Sequence, residues 1–164
     1  MNVWKTLKRV NFKSFIQLVG LTLQYAYFLY PTYLATKECM RLSTKHFGRE
    51  HYRNTPANAF RHALWNYLIA HHCAKRSTNQ AKILKWTKAI TDWHENAFIN
   101  RKLARLMDFH NNEIGRTLYL THYSKNIESV INILLNKTNT AIQIKNPEAI
   151  ATACNQLVYL YPEN

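Results

Sequence analysis

Three features of the sequence predict an all-α fold, a compact bundle of about five to six helices with no significant sheet. Only three glycines and four prolines occur in 164 residues. No stretch alternates apolar and polar residues with a period of two, as a half-buried strand would. Helix-start signals recur along the chain, small polar residues followed in three cases by proline or, three places on, by Gln.

The N-terminal element is basic and then apolar. Lys5, Lys8, Arg9 and Lys13 precede 23 residues without a charge, positions 14–36. That length matches a hydrocarbon core of about 30 Å. Gln17, Thr22, Gln24, Pro31 and four tyrosines argue against a span, and Pro31 should kink a helix there. The balance favours a core or interfacial helix. Residues 1–27 are therefore read as a basic, apolar N-terminal helix suited to membrane contact, and 28–164 as a single helical domain.

Thr55 followed by Pro56 starts a helix that should run to about His72. Ser77 with Gln80 forms a capping box for a second, Thr78 to Asn96. A third begins after Asn100 and runs from Arg101 to Thr121, and Ser124 caps a fourth to about Asn136. Residues 137–145 read as a loop with a short extended piece. Asn146 and Pro147 repeat the start signal for a last helix reaching Leu160.

The formal charge of +13 favours a polyanionic partner, an anionic membrane surface or another polyanion. No nucleic-acid recognition motif accompanies it. Cys39, Cys73 and Cys154 have no metal-ligand spacing and read as small buried hydrophobes in a reducing compartment. The expected location is cytoplasmic or peripheral to a membrane, with an N-terminal anchor admitted.

The chemistry gathers around two similar pentapeptides, DWHEN at 92–96 and DFHNN at 108–112, which hold both aspartates of the chain. At about 100° per residue, His94 falls on the face of Ile83, Trp86, Thr87 and Ile90. His110 falls among Leu103, Met107 and Ile114. Both imidazoles should point into the core. Asp108 lies on the other side of its helix with Asn112 and Gly115, and glycine at that point implies close approach by another element. On the Pro56 helix, Asn58, His62 and Asn66 are four apart and share a stripe, with Arg61 beside them. Buried polar groups need partners, so these helices should satisfy one another at a shared site.

Three readings of that site stay open. It is a metal centre of His62, His94, Glu95 and His110 with an aspartate, suited to a divalent ion such as zinc. It is a metal-free acid–base site with one histidine oriented by Asp92 or Asp108. Or it is a buried hydrogen-bond network that fixes packing. In the first two, His62, His94, Glu95, Asp108 and His110 carry the chemistry. Arg61, Asn111, Asn112 and Arg116 hold the substrate, and Asp92, Asn58, Asn66 and Gly115 are structural.

The stretches NTPANAFRHALWNYLIA (54–70), ITDWHEN (90–96) and MDFHNNEIGR (107–116) together resemble an uncharacterised family of bacterial domains. That family carries AFRHAxW, DxHE and MDxHNNxxGR motifs in this order, over roughly residues 28–120 here. Its members include small stand-alone proteins, and similar domains end larger secreted or toxin-like proteins. The resemblance implies that Arg61, His62, Asp92, His94, Glu95, Asp108, His110, Asn111, Asn112 and Arg116 matter. By analogy with the toxin-like contexts it implies a hydrolase acting on phospholipid or nucleic acid. The expectation is a hydrolase, metal-assisted, of a phosphate-containing or lipid substrate. The alternative is a non-enzymatic membrane-surface or interaction module whose polar cluster is structural.

Overall fold

A computed structural model describes residues 12–98 and 101–160. The basic residues Lys5, Lys8 and Arg9, and the expected helix-start residue Asn100, lie outside them. The described chain is helical apart from one small sheet, in the order α1 (Phe12–Gln24), α2 (Ala26–Phe47), a single 3₁₀ turn (Glu50–Tyr52), α3 (Pro56–Ala74), α4 (Gln80–Ala97), α5 (Lys102–His122), α6 (Ile127–Asn139), β1 (Ile142–Ile144), α7 (Pro147–Thr152) and β2 (Val158–Leu160).

The charge-free stretch forms two helices. The break falls at Tyr25, while α2 continues through a buried Pro31. Among the described residues no helix is long and apolar enough to cross a membrane. α3 begins at Pro56 as expected, although the Thr55 hydroxyl turns back to donate to the Glu50 carbonyl. The start of α4 shifts by two residues, because Asn79 caps it by accepting from the Lys82 N–H at 2.9 Å. Ser77 instead accepts from the Asn79 N–H. Asn126, not Ser124, caps α6 by accepting from the Ser129 N–H at 2.8 Å.

The C-terminal expectation needs the largest correction. Asn146 and Pro147 do start a helix, with Asn146 accepting from the Ala149 N–H at 3.0 Å, but α7 ends at Thr152. Cys154 adopts a positive φ of 49° and turns the chain. Val158 to Leu160 then pair in parallel with Ile142 to Ile144. Burial explains the choice. Ile144, Ala153 and Val158 pack on Met107 of α5 as a second small cluster, which a continued helix would not reach.

The main core is built on α3, whose Phe60, Leu64, Tyr67 and Leu68 are wholly buried among residues of α2, α4, α5 and α6. Three tryptophans lock the surrounding helices by donating their indole N–H groups. Trp65 donates to Thr36 and Trp86 to Thr32, each at 2.9 Å, while Trp93 donates to the Ser14 carbonyl at 2.7 Å. Buried indoles need such partners, so each contact also fixes a helix register. α3 and α5 come into backbone contact at Gly115. A Cβ there would lie 2.1 Å from the Ala63 carbonyl oxygen, and this close approach sets the two helices that carry the site.

Candidate functional site

Each of three helices presents a polar stripe spaced by four, and the stripes face one another inside the bundle. α3 supplies Asn58, His62 and Asn66, α4 supplies Thr87, Thr91 and Glu95, and α5 supplies Asp108, Asn112 and Arg116. All nine are buried. Four-residue spacing keeps side chains on one side of a helix, so each stripe is an unbroken line of donors and acceptors.

His62 is the centre. Its Nδ1 lies 3.2 Å from Asn112 Oδ1 and 3.4 Å from Glu95 Oε1. Its Nε2 lies 2.9 Å from the Arg61 guanidinium and 3.3 Å from Asp108 Oδ1. The end groups of the network fix its direction. Arg116 only donates, and it gives Nη1–H to Asn66 Oδ1 at 2.8 Å. Asn66 must then turn its amide N–H groups toward Asn112 Oδ1, at 2.7 Å. Glu95 accepts from Asn112 Nδ2 at 3.1 Å, which orients Asn112 the same way. Nδ1 of His62 therefore faces two acceptors and carries a proton in either charge state of the ring.

Nε2 is the nitrogen that titrates. A neutral ring accepts there from Arg61, and a protonated ring donates there to Asp108. In either state Nε2 itself has a partner, an N–H donor when the ring is neutral and a carboxylate when it is charged. Burial disfavours the cation, but the Asp108 charge and the Glu95 hydrogen bond outweigh it and raise the His62 pKa, with Arg61 opposing. Burial would lift the Glu95 carboxyl, yet its hydrogen bond and attraction to His62 hold it below the ordinary range.

His94 belongs to the same site by a different route. Its ring stands edge-on to Trp65, 5.1 Å between centroids, and tilts against Phe98 at 4.8 Å. Burial lowers its pKa first; the Glu95 charge opposes this, and the His62 and Arg61 charges add to the lowering. His94, His62 and Arg61 line one cavity of about 190 Å³ with Cys39, Met40 and Trp65 among its walls. It is smaller than the roughly 300–1,000 Å³ typical of sites that swallow a whole drug-sized ligand.

Several expected members stand elsewhere. His110 faces the C-terminal segment, its Nε2 2.8 Å from the Gln156 carbonyl, so it does not join His62 and His94. The wheel placed it correctly on the Met107 face, but that face covers β2 and not the site. Among the described residues no group of three or more His, Cys, Asp or Glu is disposed to hold a metal ion. The four residues expected to form a metal centre, His62, His94, Glu95 and His110, are thus not brought together. Asn111, expected to hold substrate, turns instead to the C-terminal strand. It donates to the Val158 carbonyl at 2.8 Å and accepts from the Val158 N–H at 3.0 Å, acting as a surrogate strand for β2. Asp92 pairs with Lys88 on the outside of α4, away from the histidines. Arg116 is engaged by Asn66 and by Glu113, so it anchors the network from behind. Asn58 donates to the His51 carbonyl at the edge of the cluster.

Thr91 and Trp65 were not singled out in the sequence. Thr91 donates to Asn66 Oδ1 at 3.1 Å, and its signal was the four-residue spacing to Thr87 and Glu95. The signal for Trp65 was its place as the aromatic that closes the AFRHAxW motif.

The family model described as a domain of unknown function (DUF6973) matches residues 19–142. The chain belongs to that family. The matched span contains α2 to α6 and every residue of the His62 network, together with the cavity, while α7 and β2 lie beyond it. No curated protein and no solved structure matches the chain.

Proposed function

We propose that this DUF6973 domain is a hydrolase that cleaves a phosphate ester by general acid–base catalysis between His62 and His94. The observation that carries the reading is the opposite tuning of two imidazoles in one cavity. His62 is pushed toward its protonated form and His94 toward its neutral form. Two titratable groups driven apart in this way take complementary roles.

The steps follow from the atoms present. The Arg61 guanidinium holds the anionic phosphate at the cavity wall. His94, neutral, removes a proton from the attacking water as its oxygen bonds to phosphorus. His62 passes its Nε2 proton to the leaving oxygen as the phosphorus–oxygen bond breaks. The neutral His62 then accepts from Arg61, and proton exchange with solvent restores both rings. Asp108, Glu95 and Asn112 hold His62 in place and act as positioning residues. Cys39, Met40 and Trp65 give the cavity an apolar wall, which suits a substrate with an apolar group beside its phosphate.

Turnover of chromogenic phosphodiesters and phosphomonoesters by the purified chain tests the reading. The pH profile of kcat/KM is a broad plateau about the ordinary imidazole value near 6.5, because the acid stays protonated above it and the base stays neutral below it. His62→Gln and His94→Gln each lower kcat by about 10²–10⁴-fold. Chelator leaves the rate unchanged. Full activity in either variant, or no turnover of any phosphate ester, defeats the proposal.

A further inference from the structure

α1 is amphipathic in the wrong direction for a helix that ends in a core. Its inner line, Ser14, Leu18 and Leu21, packs on the bundle. Phe12, Phe15, Ile16, Val19 and Leu23 form a second line at intervals of three and four, and all are exposed, Phe12 and Leu23 at 79%. Soluble surfaces seldom leave so long an apolar stripe in water, and such stripes mark interaction faces. On α2, Leu29, Tyr33, Thr36 and Met40 also share one side of the helix. The first two are exposed, and the last two line the cavity that holds His62 and His94. A mainly apolar track, with the Thr36 hydroxyl taken up by Trp65, therefore leads from the outer surface to the cavity.

We infer that the occupant of this face is an anionic lipid surface, with α1 lying in its plane. Charge selects lipid over a second copy of the chain. The molecule carries +13, and Lys5, Lys8, Arg9 and Lys13 crowd the start of the stripe in sequence. Two such copies would repel, whereas an anionic bilayer attracts them. Exposed tyrosines at 27, 30 and 33 suit the headgroup layer, and Lys37 lies over the Tyr33 ring. Among the described residues no helix is long and apolar enough to span, which fits in-plane seating. The cavity takes only the reacting end of a substrate, and the track offers the remainder an apolar path. The docking stands by itself. The substrate class it adds, a phosphate ester bearing an apolar chain, rests on the acid–base reading.

Flotation of the full-length chain with vesicles tests the docking. The wild type floats with vesicles of mixed phosphatidylcholine and phosphatidylglycerol, less with phosphatidylcholine alone, and progressively less as salt rises. Ile16→Asp/Leu23→Asp binds the mixed vesicles at least about tenfold more weakly with an unchanged thermal melt, since both side chains are exposed. His62→Gln binds like the wild type, which separates failure of docking from failure of catalysis. A wild type that stays unbound overturns the proposal, whether as a monomer or as a dimer that Ile16→Asp/Leu23→Asp separates. Equal binding by wild type and double variant overturns it too.

Discussion

Gly115→Ala asks whether the approach of α3 and α5 holds the site together. The added Cβ would sit 2.1 Å from the Ala63 carbonyl oxygen, 2.8 Å from its carbon and 2.9 Å from its Cα. All three are backbone atoms, so no side chain can rotate away. Restoring an ordinary contact of 3.4 Å requires the helices to part locally by roughly 1.3 Å. Overpacking of this kind costs about 1–3 kcal/mol, or more where the neighbour is rigid. Alanine returns about 1 kcal/mol of helix propensity. The backbone clash lies at the upper end of the first range, so a net loss of about 2 kcal/mol is expected. For a chain of this length that lowers Tm by about 4–8 °C.

The same displacement acts on function, because Ala63 follows His62 and Asn112 lies one turn before Gly115. The 3.2 Å contact between His62 and Asn112 should lengthen, and the His62 pKa should fall as its partners recede. Calorimetry gives the first quantity and imidazole chemical shifts against pH give the second. Gly20→Ala is the control. Nothing lies within 4 Å of its Cβ position, so it should raise Tm through propensity alone. A Gly115→Ala protein that melts at or above the wild-type temperature would refute the close-approach argument.

Neighbouring asparagines separate site from scaffold. Asn112→Ala strands Glu95, Asn66 and His62 and should cost roughly 3 kcal/mol, read by denaturant unfolding. Asn111→Ala releases only β2, so hydrogen exchange at Val158 should accelerate while the His62 titration is unmoved. Stability should follow the imidazoles in opposite senses. The raised His62 pKa contributes stability that is full below about 6.5 and is lost as pH rises through its folded value, a loss absent in His62→Gln. The lowered His94 pKa contributes stability that is present above about 6.5 and is lost as pH falls toward its folded value, a loss absent in His94→Gln. Thermal melts across pH check both. Burial pushes Cys39 and Cys73 up to about 12, so at mildly alkaline pH a thiol reagent should modify only exposed Cys154 quickly.

The parts of this molecule that were legible in its sequence are those fixed by local geometry. Helix starts at Pro56 and Pro147 follow from a proline that needs no N–H partner. The Asn58, His62 and Asn66 stripe follows from four-residue spacing, and Gly115 from the cost of glycine inside a helix. What could not be read was which face meets which neighbour. α5 turns Asp108, Asn112 and Arg116 toward the His62 network and Met107 with Asn111 toward β2, and periodicity reports two buried faces without naming the elements that bury them. The apolar side of His110 looked like the way to the core, whereas Asp108, Asn112 and Arg116 pointed there. The error has a physical source. A wheel ranks faces by hydrophobicity, and a catalytic or hydrogen-bonded interior is the one place where the most buried face is polar. Glu95 makes the same point on α4, since it is more deeply buried than His94 beside it because Asn112 and His62 satisfy its charge. In a bundle whose helices each carry a four-spaced line of Asn, His, Thr, Asp, Glu or Arg, those lines should be matched to one another before any apolar face is matched to the core. Matched in that order, His62 falls between Asp108 and Glu95, and His110 is left to the C-terminal segment at Gln156.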